Sequence, residues 1–384
     1  MWRHIASNAI TLLIVLVFLL GGLILWGQSE YKAEGPLDTQ ICLRVERGTN
    51  VSRVSRKLED QGAITSGTLF RLGMDYADQT AKLKAGSYLV PEHSSMSQIA
   101  EIITRGGAST CGTEVVYRIG IVRDRVEVRE LDPATSAYVE KADFVMGEDE
   151  TPAEYTRVRE QGDTRYRIAM AEGVTTWQVV EALKAFDVLK GEITEVPPEG
   201  MLAPSNYEVR PGDDRQALID QMRDAQEKIL AAAWEGRDPD LPLASPEEVL
   251  ILASIIEKET GVPTERYEVA SVFVNRLRKG MRLQTDPTVI YGITKGQRIL
   301  GRGLRQSELR KATPYNTYVI EGLPPGPIAN PGRESIEAAV HPEDTDYIFF
   351  VAKTLNPRDG HAFATTLDEH NANVRRYREA EANQ

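Results

Sequence analysis

A carboxyl group near the end of an apolar helix is the strongest candidate for acid–base chemistry in this sequence. The stretch Val249–Ile256 is apolar apart from one serine, and Glu257 follows it at position i+7 from Leu250. Burial against apolar neighbours disfavours the charged form of a carboxyl group, which raises its pKa and keeps it protonated near neutral pH. We therefore predict that Glu257 is a proton donor. Glu259, which points about 200° away on a helical projection, is a weaker rival acid.

The ends of this helix are marked by its sequence. Ser245 suits the N-cap, Pro246 fits the first helical position, and Glu248 is placed to close a capping box. Gly261 ends the pattern, so we expect a helix over residues 246–260 that is buried in its domain. The competing interpretation of the carboxyl at its end is an ordinary ion pair where a buried helix reaches the surface.

Two polar loops downstream supply residues that suit a sugar ligand. A second helix is expected over residues 265–279, and Gln284 and Asp286 follow it in a loop. A proline-stiffened loop then displays Tyr315 and Asn316. An aromatic ring stacks on a sugar and an amide bonds its hydroxyl and acetamido groups, so Tyr315 and Asn316 suit a sugar. Together with the polar Gln284 and Asp286 they are the predicted substrate contacts. Rigid packing is the alternative for the second loop, and Asp286 suits a helix cap better than a general base.

Composition and charge exclude several classes of protein. The 384 residues carry a net charge of −12 and a pI near 5.1, which argues against a nucleic-acid partner. Only two cysteines and five dispersed histidines occur, so neither a metal centre nor any other cofactor is expected. A serine hydrolase is not expected either, because the chain lacks a Gly-x-Ser-x-Gly sequence.

A long uncharged run near the N-terminus predicts a membrane anchor. After Arg3 the next charged residue is Glu30, and Ala9–Gly27 is about as long as a bilayer-spanning helix requires. The positive charge on its N-terminal side predicts that residues 1–29 form a cytoplasmic tail and anchor, with the remaining chain outside. A cleavable signal peptide is the rival interpretation, although its apolar region would be shorter.

The region between the anchor and the apolar helix shows a recurring pattern. A short strand followed by helical spacing begins near Cys42, again near Ser87 and a third time near Tyr166. Such units cannot bury their own faces, so we expect them to pack as one or two α+β modules. Residues 113–164 are interpreted as an inserted hairpin and an acidic loop of no assigned role. Cys42 and Cys111 either form a disulfide in an oxidising compartment or stay as two buried thiols.

Several motifs, in one order along the chain, closely resemble the bacterial endolytic murein transglycosylases of the MltG/YceG type. The motifs are Ser254–Thr260, Leu283–Gly292, Pro314–Tyr318, Leu323–Ile328 and Asp359–Phe363. The resemblance implies an α+β fold with a single N-terminal transmembrane helix, LysM-like modules and a C-terminal α+β catalytic domain. Its expected segments are residues 37–108 for the LysM-like module, 109–241 for a second α+β region, and 245–384 for the catalytic domain.

The resemblance also implies a function. The family cleaves glycan strands of peptidoglycan at the outer face of the inner membrane, and it places the catalytic glutamate at Glu257. One carboxyl group suffices for a lytic transglycosylase, because the C6 hydroxyl of the muramic acid attacks its own ring to form a 1,6-anhydro end. The expected partners are nascent glycan strands, the inner membrane and peptidoglycan synthases of the penicillin-binding type.

This chain departs from the family pattern in two places. The usual motif Glu-Gly-Tyr-Leu-Phe-Pro-Asp-Thr-Tyr is replaced by Glu199–Tyr207, which lacks two of its aromatic residues. The insertion over residues 113–164 is longer than expected. A non-catalytic scaffold that binds the wall and docks a synthase is the alternative function, and it predicts no release of glycan.

Overall fold

The structure, a computed structural model, describes residues 2–106 and 109–382. For residues 2–9 it describes the backbone only. The chain forms two compact units. The first contains residues 1–116, 127–144 and 149–166, and the second contains residues 117–126, 145–148 and 167–384. The fold is mixed α+β with one apolar N-terminal helix, which confirms the expected fold class, whereas the LysM-like modules and the domain boundaries stay predictions.

The first helix of the first unit is compatible with a single-pass membrane anchor. Helix α1 covers Trp2–Lys32, and within its 23-residue stretch Ile10–Lys32 an 18-residue window has a mean hydropathy of 2.7. The large apolar side chains from Ile10 to Trp26 are exposed. A helix of this length and composition is long enough to cross a bilayer.

Two strands and three further helices follow α1 in the first unit and share one hydrophobic core. They are β1 (Ile41–Val45), α2 (Val51–Asp60), α3 (Gly67–Tyr76), β2 (Gly86–Val90) and α4 (Met96–Arg105). The strands pair in antiparallel register, and the helices bury one apolar face against them. A disulfide joins Cys42 of β1 to Cys111, with a Cα–Cα distance of 5.8 Å. Of the two states expected for these cysteines, the protein adopts the paired one.

A five-stranded sheet follows in the chain. Its strands are β3 (Thr113–Ile119), β4 (Arg125–Asp132), β5 (Ala137–Phe144), β6 (Arg165–Met170) and β7 (Asn206–Val209), in the spatial order β5-β4-β3-β6-β7. A short helix α5 (Ala153–Arg159) precedes β6. The expected hairpin is therefore part of a larger arrangement, because a third strand and a helix occupy residues that were interpreted as loop.

The second unit is built around a buried helix. Its elements are α6 (Thr176–Ala185), α7 (Arg215–Gly236), α8 (Pro246–Glu259), α9 (Arg266–Arg278), α10 (Asp286–Thr294), α11 (Gln306–Leu309), α12 (Arg333–Val340), β8 (Phe349–Ala352), β9 (His361–Ala364) and α13 (Leu367–Ala382). Helix α8 packs against α7, α9, α10 and α12, and its residues from Val249 to Ile256 are all buried. The antiparallel hairpin β8–β9 carries α13.

The ends of α8 follow from its sequence. The Ser245 hydroxyl accepts a hydrogen bond from the Glu248 backbone N–H at 3.4 Å, and Pro246 occupies the first helical position. The Glu248 carboxylate accepts from the Ala244 N–H at 2.6 Å instead of closing the expected capping box. The helix ends at Glu259, so its last turn presents three charged side chains at the edge of the core.

Candidate active site

The last turn of α8 sends three charged side chains to three different neighbours. Glu257 reaches the start of α12, Lys258 donates to the Gly173 carbonyl at 3.1 Å, and Glu259 accepts a hydrogen bond from the Thr285 hydroxyl. Successive helical residues are rotated by about 100°, so each side chain enters a separate environment. The two glutamates therefore differ in chemistry although they lie two positions apart.

Glu257 caps the N-terminus of α12. One of its carboxylate oxygens, Oε2, accepts hydrogen bonds from the Gly332 N–H at 3.0 Å and from the Ser335 hydroxyl at 2.8 Å. Gly332 is the N-cap of α12, where the helix dipole favours negative charge. Glu257 therefore has polar partners in addition to the apolar α8 face that the sequence analysis expected beside it. Its helical face meets polar groups from a segment 75 residues further along the chain.

A second carboxylate lies beside this cap. The pKa of Glu172 is raised, first by burial and then by the negative charge of Glu257, while the Arg266 guanidinium opposes both effects. The Arg266 Nη2 atom lies 3.9 Å from Glu172 Oε2. A Cβ atom on Gly332 would lie 1.9 Å from Glu172 Oε1, so the Glu172 side chain lies directly against the Gly332 backbone. Two carboxyl groups and one cation thus share the first turn of α12.

Glu259 has the property that the sequence analysis assigned to Glu257. Burial raises the pKa of Glu259 to about 7, and the negative charge of Asp286 acts in the same direction. The hydrogen bond from Thr285 and the positive charge of Arg276 oppose this shift. A carboxyl group with a pKa near the working pH is partly protonated and can both donate and accept a proton during a catalytic cycle.

An exposed loop adjoins Glu259. Gln284 is exposed and adopts a φ of +50°, a strained conformation for a residue other than glycine, and its N–H donates to the Thr317 carbonyl at 3.1 Å. The Asp286 carboxylate accepts from the Tyr318 hydroxyl at 2.6 Å. The expected cap role of Asp286 was wrong, because Thr285 is the N-cap of α10 and Asp286 is its first residue.

The two other predicted contacts lie in the adjoining loop and differ in exposure. Asn316 is fully buried, and its amide Nδ2 donates to three backbone carbonyls. The acceptors are Glu308, Leu309 and Lys311, at 2.7–3.1 Å. Asn316 therefore holds the loop in place, and a direct ligand contact does not fit this geometry. Tyr315 is partly buried, with its ring centroid 5.0 Å from that of Tyr291.

A partly buried glutamate bonds the hydroxyl group of one of these two rings, that of Tyr291. Glu199 accepts hydrogen bonds from the Thr176 N–H at 2.7 Å and from the Tyr291 hydroxyl at 3.1 Å. Burial raises the pKa of Glu199, and these hydrogen bonds partly offset the shift. A hydrogen bond thus joins Glu199 to Tyr291, and a ring contact joins Tyr291 to Tyr315. Together with the bond from Thr176, these contacts connect the start of α6 to the loop that contains Asn316.

Comparison with known proteins places the chain in a family. A sequence model of the YceG-like family matches residues 43–376. This chain belongs to the YceG-like family. The endolytic murein transglycosylase of Bacillus subtilis (strain 168) is 30% identical over 363 residues, which are 94% of this chain and 91% of that protein. The enzyme of the same name from Streptococcus pneumoniae serotype 2 (strain D39 / NCTC 7466) is 26% identical over 382 residues, which are 97% of this chain and 65% of that protein.

A solved structure is also similar. A YceG-like protein from Listeria monocytogenes shares 26% sequence identity, with a TM-score of 0.47, over 87% of this chain and 98% of that chain. The family match and the two named relatives agree with the family that the sequence motifs indicated.

Several residues of this YceG-like site were not singled out from the sequence. Glu199 opens the motif Glu199–Tyr207, and Tyr318 closes the motif in which Tyr315 and Asn316 were singled out, so both lay within reach of motif analysis. The hydroxyl groups of Thr285 and Ser335 were not, because their importance depends on which glutamate each one meets.

Proposed function

We propose that this chain is an endolytic lytic transglycosylase that cleaves glycan strands of peptidoglycan and leaves 1,6-anhydro-muramic acid ends. Membership of the YceG-like family and the names of the Bacillus and Streptococcus relatives support this reaction. The observation that carries the mechanism is the carboxyl group of Glu259, whose pKa burial raises to about 7. Glu259 as a whole residue is partly buried, and its partner Thr285 follows the exposed Gln284 in the chain.

We assign the proton donor to Glu259 rather than to Glu257. Two donors at the start of α12, the Gly332 N–H and the Ser335 hydroxyl, hold Glu257 Oε2 in the cap of that helix. Glu259 has one such donor, Thr285, and burial together with Asp286 favours its neutral form. Glu257 was the first choice of the sequence analysis, and it is the alternative that paired substitutions must test.

The proposed reaction uses one proton and no water. Neutral Glu259 protonates the oxygen of the leaving sugar as the glycosidic bond breaks, and positive charge develops on the muramic acid ring. The C6 hydroxyl of that ring forms the new bond to its anomeric carbon, and the Glu259 carboxylate takes the hydroxyl proton. The Asp286 carboxylate adjoins this site and stabilises the positive charge electrostatically.

The proposed substrate contacts extend along α10. Gln284 and Asp286 lie at its N-terminal end, and Tyr315 lies beside its C-terminal half, where a Cβ atom on Gly292 would be 3.0 Å from the Tyr315 Cβ. Gln284 offers an exposed amide for hydroxyl or acetamido groups, and Tyr315 offers a ring for a sugar face. Asn316 contributes indirectly by fixing the backbone on which Tyr315 stands.

The position of the protein in the cell follows from the same proposal. Helix α1 anchors the chain in the inner membrane, with the tail in the cytoplasm and the catalytic unit in the periplasm. The strands and helices of residues 37–108 act as a LysM-like module that holds glycan near the membrane. Peptidoglycan synthases, which make the nascent strands, are the proposed protein partners.

Digestion of purified sacculi by the detergent-solubilised full-length chain tests the reaction. Mass spectrometry of the products should find 1,6-anhydro-muramic acid ends and no new reducing-end muramic acid. Reducing ends would show a hydrolase and overturn the proposed chemistry. The absence of any released glycan would select the non-catalytic scaffold instead.

A further inference from the structure

A strongly basic surface loop stands out in this acidic protein. Residues 295–311 contain six basic side chains and one acidic one, whereas the whole chain has a net charge of −12. The basic residues are Lys295, Arg298, Arg302, Arg305, Arg310 and Lys311, and all six are exposed. Within the described part of the chain, Arg302 is the one member of the six that forms a salt bridge, with Glu308 at 2.6 Å. The loop therefore presents an excess of positive charge to solvent.

Buried polar groups fasten this basic loop at both ends. At its start, the Thr175 hydroxyl donates to the Gly296 carbonyl at 2.7 Å, and both residues are buried. At its end, the buried Asn316 amide holds three carbonyls of residues 308–311. Such fixed backbones lose little conformational entropy when a ligand binds, so the cations are presented in an arrangement suited to binding.

The basic loop begins where the proposed substrate path ends. Lys295 follows α10, and its Nζ atom lies 5.1 Å from the centroid of the Tyr315 ring. Helix α10 begins at Asp286 and has nine residues, which span about 13 Å at the usual helical rise. The loop thus adjoins the proposed sugar platform and lies roughly one helix length from the proposed proton donor, Glu259.

We propose that the basic loop binds the carboxylates of the short peptides attached to the muramic acid residues of the substrate. Those peptides project from the glycan beside the path from Glu259 to Tyr315, and they carry free carboxylates that complement the unpaired cations of the loop. The enzyme would then prefer glycan that still bears its peptides over glycan from which an amidase has removed them. This inference rests on the proposed transglycosylase function.

The test compares two substrates and two triple variants of the full-length chain in detergent. The substrates are sacculi and the same sacculi after complete removal of the peptides by an amidase. The loop variant is Arg298→Gln/Arg310→Gln/Lys311→Gln. The matched control neutralises three exposed arginines on α13, which packs on the hairpin β8–β9. The control residues are Arg375, Arg376 and Arg378.

The unmodified enzyme should cleave the peptide-bearing glycan about tenfold faster, measured as kcat/KM, because three exposed ion pairs of about 0.5 kcal/mol each give that factor. The loop variant should lose this preference, the α13 variant should keep it, and about 0.5 M salt should abolish it. Free peptide should compete with the substrate, while inorganic phosphate at the same ionic strength should not.

Three results would overturn the inference and leave the proposed function intact. They are equal cleavage of both substrates by the unmodified enzyme, an undiminished preference in the loop variant, and the same loss of preference in the α13 variant. Failure of the unmodified enzyme to form anhydro ends on either substrate would instead overturn the proposed function, and the inference with it.

Discussion

The pH dependence of cleavage should respond to one hydroxyl group, that of Thr285. A proton donor with a pKa of about 7 predicts that kcat/KM falls as the pH rises through 7. Thr285→Val removes a hydrogen bond that favours the charged form of Glu259 while it keeps the shape of the side chain. A hydrogen bond to a charged group is worth about 1.5–3 kcal/mol, so the pKa should rise by about one unit or more.

The expected effect is largest above neutral pH. At pH 8 a shift of the pKa from about 7 to about 8 raises the protonated fraction of Glu259 from roughly a tenth to roughly a half. The Thr285→Val variant should therefore cleave sacculi about fivefold faster than the unmodified enzyme at pH 8, with little difference at pH 5.5. The assay is the rate of anhydro-end formation at fixed ionic strength between pH 5 and pH 9.

Ser335→Ala is the matched control for this prediction. It removes a hydroxyl that donates to Glu257 at 2.8 Å, so it should leave the alkaline limb of the pH profile in place. If Ser335→Ala moves the limb to higher pH and Thr285→Val does not, Glu257 is the acid and our reasoning about the two glutamates is refuted.

Three further predictions concern charge and stability. Asp286→Asn removes a negative charge that raises the pKa of Glu259, so the alkaline limb of kcat/KM should move to lower pH; no movement would contradict the electrostatic assignment. Ionisation of Glu259 destabilises the folded state from about pH 4.5 upwards, and the effect is complete above about pH 7. Glu259→Gln should therefore raise the free energy of unfolding at pH 8 by at most about 3 kcal/mol and leave it unchanged at pH 4. Equal urea midpoints of the variant and the unmodified protein at pH 8 would refute this. Replacing Cys42 and Cys111 by alanine opens a loop of 69 residues and should cost the first unit about 4 kcal/mol in urea unfolding, whereas glycan cleavage should persist.

Local signals made much of the second unit predictable. Ser245 and Pro246 predicted the start of α8, and helical spacing over residues 265–279 predicted α9. Both depend on residues close together in the chain. Strand β5 was missed because its residues are exposed along nearly its whole length, so it lacks the alternation of apolar and polar residues that marks a half-buried strand.

The site was harder to predict than the fold. Helical spacing correctly separated the directions of Glu257 and Glu259, yet it could not show which groups each side chain meets. The partners of Glu257 come from α12, 75 and 78 residues later, and Thr285 lies 26 residues beyond Glu259. An apolar face on α8 was therefore no guide to the surroundings of a residue in its last turn.

The most direct test of the central claim is the cleavage rate of two isosteric variants on the same sacculi. With Glu259 as the proton donor, Glu259→Gln should reduce anhydro-end formation by about 10²–10⁴-fold, because an amide cannot donate a proton to the leaving oxygen. Glu257→Gln should keep most of the rate, because its amide oxygen still accepts the hydrogen bonds from Gly332 and Ser335. Near-full activity in Glu259→Gln, with loss in Glu257→Gln, would contradict the account.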